Sequence, residues 1–330
     1  MLLYSSFVTG LQEPIKKWSL KEGYKPRLLL DGAIIYDSKK TDAPLPCFFN
    51  TFTVLEQINH KGKTPIEQLM KKVLKSPPKF KRGRGSFRLV TSNENKLVSV
   101  DKVLRSNVEL LIKRHTGMTV ERRGGGTEFW FLSRSEGVSL FMERNKAPKQ
   151  RTLKQGELRP ELAYCLNRLS EPKPSDVMLD PFCGYGAICK SRSRHFPYKQ
   201  IYGLDNDTAK IHDLSAKPGR IKYIHSDIRN ISGIIKPNSV NSIVTDPPWG
   251  FYGNEEDTEP LYKVFAKEAA KLIKDNGSII VLTAQKDLMK LHLKQGVWAD
   301  INLDAAYDIL VSGKKAAVFV LRKPLFPYSG

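Results

Sequence analysis

Residues 64–76, TPIEQLMKKVLKS, carry apolar side chains at Ile66, Leu69, Met70, Val73 and Leu74. That i, i+3, i+4, i+7, i+8 spacing predicts an amphipathic helix, and Pro77-Pro78 stops it. Before it, the pattern predicts a small mixed unit. An entry strand covers Leu2 to Val8, a helix starts at Glu13, and the turn former Asp31-Gly32 splits LLLDGAIIYD into two strands. After it, SFRLVT reads as a strand and DKVLRSNVELLIKRHTG as a helix ended by Gly117. TEFWFLSR and VSLFMER read as strands joined by a polar turn at Ser135 to Gly137. The expectation is helix and strand alternating over a short antiparallel sheet.

The stretch from Arg144 to Gly156, RNKAPKQRTLKQG, is polar, basic and without period, which predicts a linker. A helix over Leu158 to Leu169 follows. Apolar runs then come at 177–180, 201–205, 221–224, 240–245 and 278–283, with helical segments between several of them. That rhythm predicts a parallel sheet with helices on both faces. INLDAAYDILVSGKKAAVFVLRK reads as two long strands around Ser312-Gly313-Lys314, so an antiparallel hairpin should close the sheet. The predicted fold class is α/β for the carboxyl-terminal half, preceded by an α+β region.

A length of 330 residues fits about two domains. Charge separates them. The chain holds 54 Lys and Arg against 34 Asp and Glu, a net +20, and residues 1–150 alone carry 28 basic and 14 acidic side chains. Residues 61–90 hold ten Lys or Arg and a single Glu. Such a cluster can neutralise several phosphates, which makes Lys79, Lys81, Arg82, Arg84 and Arg88 candidate contacts to nucleic acid. No apolar run approaches the roughly twenty residues of a spanning helix, and the first residues lack a basic leader. The expectation is a soluble, cytoplasmic monomer with no membrane partner. Cys47, Cys165, Cys183 and Cys189 form no CxxC pair and no zinc-like spacing, so reduced thiols and no metal are expected.

In an open α/β sheet, ligands bind beyond the carboxyl ends of the strands. The first predicted strand there runs into LDPFCGYGAICKS, with Asp180, Pro181 and Cys183 leading to Gly184 and Gly186. The glycines let a backbone approach a ligand and open a helix whose N-terminus is partly positive. The second strand ends in Asp205, 25 residues after Asp180, near the offset at which an acid takes ribose hydroxyls. The third ends in Ser226-Asp227 and the fourth in Asp246-Pro247-Pro248-Trp249. Two prolines cannot extend a central strand, so the chain turns there. A nicotinamide dehydrogenase competes for such a pattern, but Cys189 stands where the third glycine of G-x-G-x-x-G would be.

LDPFCGYGA, GLD, SD and DPPWG, taken in order, resemble the motifs of class I S-adenosylmethionine-dependent methyltransferases. DPPW is similar to the signature of members that methylate exocyclic amino groups. GELRPELAYCLNRLSEP with LDPFCGYG resembles the THUMP-containing RNA methyltransferases, many of which act on the guanine 2-amino group of tRNA. FRLVTSNEN through TEFWFLSRSEG resembles the THUMP domain itself. The resemblance implies a ferredoxin-like segment over 1–60, a THUMP-like RNA-binding domain over 61–146, a linker over 147–157, and a Rossmann-like methyltransferase domain over 158–330. The chain departs from the pattern in its basic helix AICKSRSRHF and in a linker without the histidine frequent in relatives.

By the same resemblance, Asp246 and the carbonyl of Pro247 accept the two hydrogens of the target amine, Pro248 stiffens that carbonyl, and Trp249 stacks on the base. The methyl donor lies across Gly184 and Gly186, with Asp205 at its ribose and Asp227 at its adenine. Asp180 and Arg159 are candidates for its ammonium and carboxylate ends. The implied partner is tRNA or another structured RNA. DPPW alone also suits ribosomal RNA or DNA adenine as substrate, and a noncatalytic RNA-binding protein would need none of these strand-end residues.

Overall fold

The structure, a computed structural model, describes residues 1–39, 44–60, 64–124, 126–145, 152–216, 219–250, 258–298 and 300–325. Two compact units emerge, one of Met1–Phe7 with Ile15–Gln150 and one of Val8–Pro14 with Arg151–Gly330. Of the expected linker, residues 147–151 lie outside the described residues and 152–157 are coil with a turn.

In chain order the amino-terminal elements are β1 (Leu2–Ser6), α1 (Gln12–Lys21), β2 (Lys25–Leu30), β3 (Ala33–Asp37), β4 (Asn50–Asn59), α2 (Pro65–Lys75) and β5 (Ser86–Asn93). The short β6 (Lys96–Leu97), α3 (Lys102–Thr116), the short β7 (Thr119–Val120), β8 (Thr127–Arg134) and β9 (Val138–Arg144) follow. Among the described residues nine strands form one sheet, ordered β2-β3-β1-β4-β9-β8-β5-β6 with β7 on β5. It is longer than the short antiparallel sheet expected, and it is mixed. β5 runs parallel to β8, pairing Phe87 with Thr127 through Asn93 with Ser133. The physical reason is α3: a helix between two strands returns the chain to the same end of the sheet, so the pair must be parallel.

α2 forms as its stripe predicts, with Leu69, Met70 and Val73 fully buried. α3 is held at both ends. Asp101 accepts the Leu104 N–H at 2.7 Å, and Gly117 ends the helix at φ 77°, a left-handed conformation that glycine adopts without a Cβ clash. The two helices bury Val73, Val108 and Ile112 with Phe87, Phe129 and Phe141 of the sheet. Each such side chain contributes about 1.5–3 kcal/mol of burial.

The carboxyl-terminal unit adds α4 (Pro160–Leu169), β10 (Val177–Asp180), α5 (Ala187–His195), β11 (Gln200–Asp205), α6 (Thr208–Ser215) and β12 (Ile221–His225). It continues with β13 (Val240–Thr245), α7 (Thr258–Leu272), β14 (Ile273–Thr283), α8 (Lys286–Lys294), β15 (Asn302–Val311) and β16 (Lys314–Arg322). Its seven-stranded sheet has the order β12-β11-β10-β13-β14-β16-β15, parallel except for β16, which is antiparallel to both of its neighbours. The expected doubly wound sheet and closing hairpin are both present. The hairpin turns on Ser312 and Gly313, at φ 50° and 80°, the paired positive values of a tight two-residue turn. From β10 the chain moves outward to β11 and β12, then crosses to β13 on the other side. The sheet therefore has its topological switch point between β10 and β13.

Candidate active site

β10 and β13, side by side, deliver Asp180 and Asp246 to the switch point. Hydrogen bonds lace the neighbouring strand ends together. The Thr245 hydroxyl donates to Asp180 Oδ1 at 2.8 Å, joining β13 to β10. Cys183 N–H donates to the Leu204 carbonyl at 2.8 Å and Gly184 N–H to Asp205 Oδ2 at 2.7 Å, joining the glycine turn to β11. Ser226 N–H donates to the Asp205 carbonyl at 3.1 Å, joining the end of β12 to β11. Asp205 and Asp246 lie close enough to Asp180 that their charges add to the burial that pushes its carboxyl up. The sequence places Thr245 as an ordinary strand residue; its side chain proves to be the bond between the first and fourth strand ends.

The two glycines of the turn differ. Both have positive φ, 50° at Gly184 and 75° at Gly186. A Cβ on Gly186 would stand 2.9 Å from Tyr223 Oη and 3.1 Å from Leu214, so that glycine serves packing. A Cβ on Gly184 would meet no atom within 4 Å. The open flank of Gly184, with the Asp205 carboxylate beside it, is a cradle that fits a nucleoside: bare backbone along one edge and an acid for the hydroxyls. Tyr185 between them is flanked by Lys154 and Lys210, whose ammonium groups lie 4.8 and 5.6 Å from its ring centre. Pro181 and Cys183 are buried, and burial pushes the Cys183 thiol up, so it is a packed thiol rather than a nucleophile. Asp227 accepts the Arg229 N–H at 2.8 Å, opening a 3-10 turn, and Arg159 is exposed at the N-cap of α4.

Asp180 is 1% exposed, and burial pushes its carboxyl up to about 8 against the opposing bonds from Thr245 and Phe182 N–H. Asp246 is half-buried, and burial pushes it up to about 7 against one stabilising donor, the Trp249 indole, whose Nε1 lies 2.8 Å from Asp246 Oδ1. The carbonyls of Pro248 and Trp249 are tied elsewhere. Tyr262 Oη donates to the Pro248 carbonyl at 3.2 Å, and Gln285 Nε2 donates to the Trp249 carbonyl at 2.7 Å. The Pro247 carbonyl accepts no hydrogen bond among the described residues.

In the amino-terminal unit, a polar cleft of about 770 Å³ is lined by Lys79, Lys81, Arg84, Glu143 and Arg144, among others. Glu128 at its wall holds both Arg88, whose Nε donates at 3.0 Å, and Arg144, whose Nη1 donates at 2.9 Å. Arg88, though its side chain is still 39% exposed, is paired with Glu128, whereas Lys79, Lys81 and Arg84 face the cleft with exposed side chains. Arg82 is exposed outside its lining. No helix among the described residues is long and apolar enough to cross a membrane.

Residues 148–191 and 189–307 match the family described as UPF0020, RMKL-like, methyltransferase domain. The chain is 26% identical over 270 residues to a tRNA (guanine(6)-N2)-methyltransferase of Thermus thermophilus, covering 78% of this chain and 79% of that protein. It is 28% identical over 187 residues to the tRNA (guanine(6)-N(2))-methyltransferase THUMP3 of Mus musculus, covering 50% of this chain but only 36% of the mouse protein. Among solved structures, TrmN from Thermus thermophilus superposes with a TM-score of 0.79 over 98% of this chain and 99% of that one, at 22% identity. The structure of SMU.472 complexed with SAH gives 0.70 over 99% of each chain, at 14% identity. A methyltransferase domain matched over residues 148–307, and a likeness to a tRNA guanine-N2 methyltransferase that extends into the amino-terminal half, together support an S-adenosylmethionine-dependent RNA methyltransferase of the THUMP class.

Proposed function

We propose that the chain methylates the exocyclic 2-amino group of a guanosine in tRNA, with Asp246 and the Pro247 carbonyl as acceptors for the amine. The observation that carries this reading is the asymmetry of the DPPW turn. The carbonyls of Pro248 and Trp249 are engaged, while the carbonyl of Pro247, itself a buried residue, accepts no hydrogen bond among the described residues. A carboxylate and a fixed carbonyl in adjacent residues offer two acceptors to the two N–H bonds of one amine.

S-adenosylmethionine, when bound, supplies an electrophilic methyl group. The chain supplies the rest. An aromatic amine is a weak nucleophile because its lone pair is conjugated with the ring. Two acceptors that fix its N–H bonds turn that pair out of conjugation and toward the methyl. As the N–C bond forms, the nitrogen must shed a proton, and a carboxylate titrating near neutrality is matched to receive it. The Trp249 indole, now folded onto Asp246, is placed to leave the carboxylate for the face of the incoming base, a contact worth about 1–3 kcal/mol. Asp205 would hold the ribose hydroxyls of the donor and Asp227 its adenine. Asp180, neutral in the free chain at pH 7, would ionise as the ammonium end arrives.

A guanosine in a helix hides its amine, so the base must leave the stack at a cost of a few kcal/mol. Lys79, Lys81 and Arg84, exposed along the amino-terminal cleft, would contribute phosphate contacts that offset it. The deciding experiment incubates the full chain with S-adenosylmethionine and unmodified tRNA transcripts and analyses the nucleosides by mass spectrometry. N2-methylguanosine is the expected product, and guanosine 6 is the first position to examine because the Thermus relative carries it in its name. Methyladenosine as the sole product, or methylation of duplex DNA instead of tRNA, would end this reading.

A further inference from the structure

Two side chains from outside the DPPW turn, Tyr262 and Gln285, bind its backbone, and a third, Thr283, links the two. Tyr262, on α7, and Thr283, the last residue of β14, are both fully buried, and Gln285, two residues on, is half-buried. Their hydroxyls and amides form a short chain. Gln285 N–H donates to Thr283 Oγ1 at 2.9 Å, Thr283 Oγ1 and Tyr262 Oη are 2.6 Å apart, and Tyr262 Oη is 3.2 Å from the Pro248 carbonyl. Gln285 Nε2 reaches the Trp249 carbonyl at 2.7 Å. One arrangement of protons satisfies every group. Each hydroxyl has a single hydrogen. If Tyr262 gives its own to the Pro248 carbonyl, Thr283 must give its own to Tyr262, while the Thr283 oxygen receives the Gln285 N–H. The relay then runs in one direction, from the backbone after β14 to the backbone after β13.

We propose that Tyr262, Thr283 and Gln285 are the positioning residues of the amine clamp: by holding the Pro248 and Trp249 carbonyls they fix two successive peptide planes and leave the Pro247 carbonyl aimed at the amine. This rests on the clamp described under the proposed function. Two prolines fix their own φ but not their ψ, so the Pro248–Trp249 peptide could still rotate. The Tyr262 hydrogen bond removes that freedom at Pro248, and Gln285 removes it one peptide later. Gly250 follows at φ 82°, a left-handed conformation that suits glycine. None of the three touches the reacting atoms. Their effect is on the direction of a carbonyl and on where the Trp249 ring begins, and misplacement of a catalytic group by about 1 Å can cost on the order of a hundredfold in rate.

The test uses the full chain and four variants: Tyr262→Phe, Thr283→Val, Thr283→Ser and Gln285→Ala. Two readouts are taken. One is the single-turnover rate of methyl transfer to tRNA, beside S-adenosylmethionine affinity by calorimetry. The other needs no activity: acrylamide quenching of Trp249, isolated by subtracting the same measurement on chains carrying Trp249→Phe. Thr283→Val breaks the relay at its centre while keeping the side-chain shape. It is expected to slow transfer by about tenfold or more and to raise Trp249 quenching about twofold, with cofactor affinity within about twofold of the parent. Tyr262→Phe and Gln285→Ala should each do the same to a lesser degree, and Thr283→Ser, which restores the hydroxyl, should recover most of the rate and the protection. The proposal is overturned if Trp249 quenching is unchanged in both Thr283→Val and Gln285→Ala. Loss of rate and cofactor affinity together in every variant, or Thr283→Ser behaving like Thr283→Val, also overturns it. Should the parent chain methylate no tRNA, the proposed function fails, and the quenching series still decides whether these residues hold the turn.

Discussion

If Asp246 must be ionised to accept the amine, the pH at which it ionises should be visible in the rate. Burial raises its carboxyl from the ordinary 3.8 to about 7, so kcat/KM for tRNA at saturating cofactor, which reports the enzyme before the base displaces Trp249, should climb through pH 7 and level off above it. Among the described residues the Trp249 indole is the donor that favours the charged form. Trp249→Phe keeps an aromatic plate for the base but removes that donor. A hydrogen bond to a charged group is worth about 1.5 kcal/mol at the low end of its range, or about one pKa unit, so the midpoint should move toward pH 8. The same titration acts on stability with a definite sign. A carboxyl whose folded pKa is raised ionises first in the unfolded chain, so stability falls as pH rises from about 4 to 7 and is flat above. Asp246→Asn, which cannot titrate, should gain on the parent between pH 5.5 and 8 by at most about 2 kcal/mol, less in proportion as water reaches the half-buried group. Thermal unfolding at the two pH values measures this gain. A rate flat from pH 5.5 to 8.5, a midpoint unmoved in Trp249→Phe, or a gain that shrinks toward alkaline pH would each refute the role assigned to the carboxyl.

Binding of S-adenosylmethionine at pH 7 should release up to about one proton as Asp180 ionises, read as an enthalpy that varies with the ionisation heat of the buffer, and Asp180→Asn should abolish it. Gly184→Ala should weaken cofactor binding and destabilise only by the strain of its left-handed φ of 50°, about 1–2 kcal/mol, because the methyl enters open space, whereas Gly186→Ala should lower the melting temperature further, adding a collision with Tyr223 and Leu214. Replacing Lys79, Lys81 and Arg84 by Ala should flatten the dependence of log K on log salt for tRNA, by roughly 0.7–0.9 for each phosphate that is no longer neutralised. An unchanged slope would remove the cleft from the RNA-binding surface.

The strand ends of the carboxyl-terminal sheet were legible because central parallel strands are buried on both faces and so appear as unbroken apolar runs, and because Asp-Pro-Pro and Gly-x-Gly cannot continue such runs. The ends of α3 were legible for a local reason too, a capping Asp101 and a left-handed Gly117. What could not be read was pairing between distant segments. Nothing in SFRLVT says that it will lie parallel to TEFWFLSR, since the choice depends on the path of the helix between them. Likewise Arg88 belongs by sequence to the basic cluster, and only the fold brings Glu128 against its guanidinium. Thr245, Tyr262, Thr283 and Gln285 carry no signal at all in one dimension, because each works through a partner at least 14 residues away.

The ten-residue β4 has a consequence for how the amino-terminal region can be divided. It pairs with β1 along one side and with β9 along the other, from Phe52 opposite Arg144 to Asn59 opposite Val138. A chain begun after residue 60 would therefore leave β9 as an open edge, with the apolar sequence Val138, Leu140, Phe141 and Met142 along an unpaired backbone. Such an edge recruits strands from other molecules. The resulting fragment would self-associate rather than display its basic cleft, and a preparation of it could register as RNA binding what is only co-aggregation. Residues on both sides of position 60 are in this sense one folding unit, because the sheet that carries the cleft is continuous only when β4 is present.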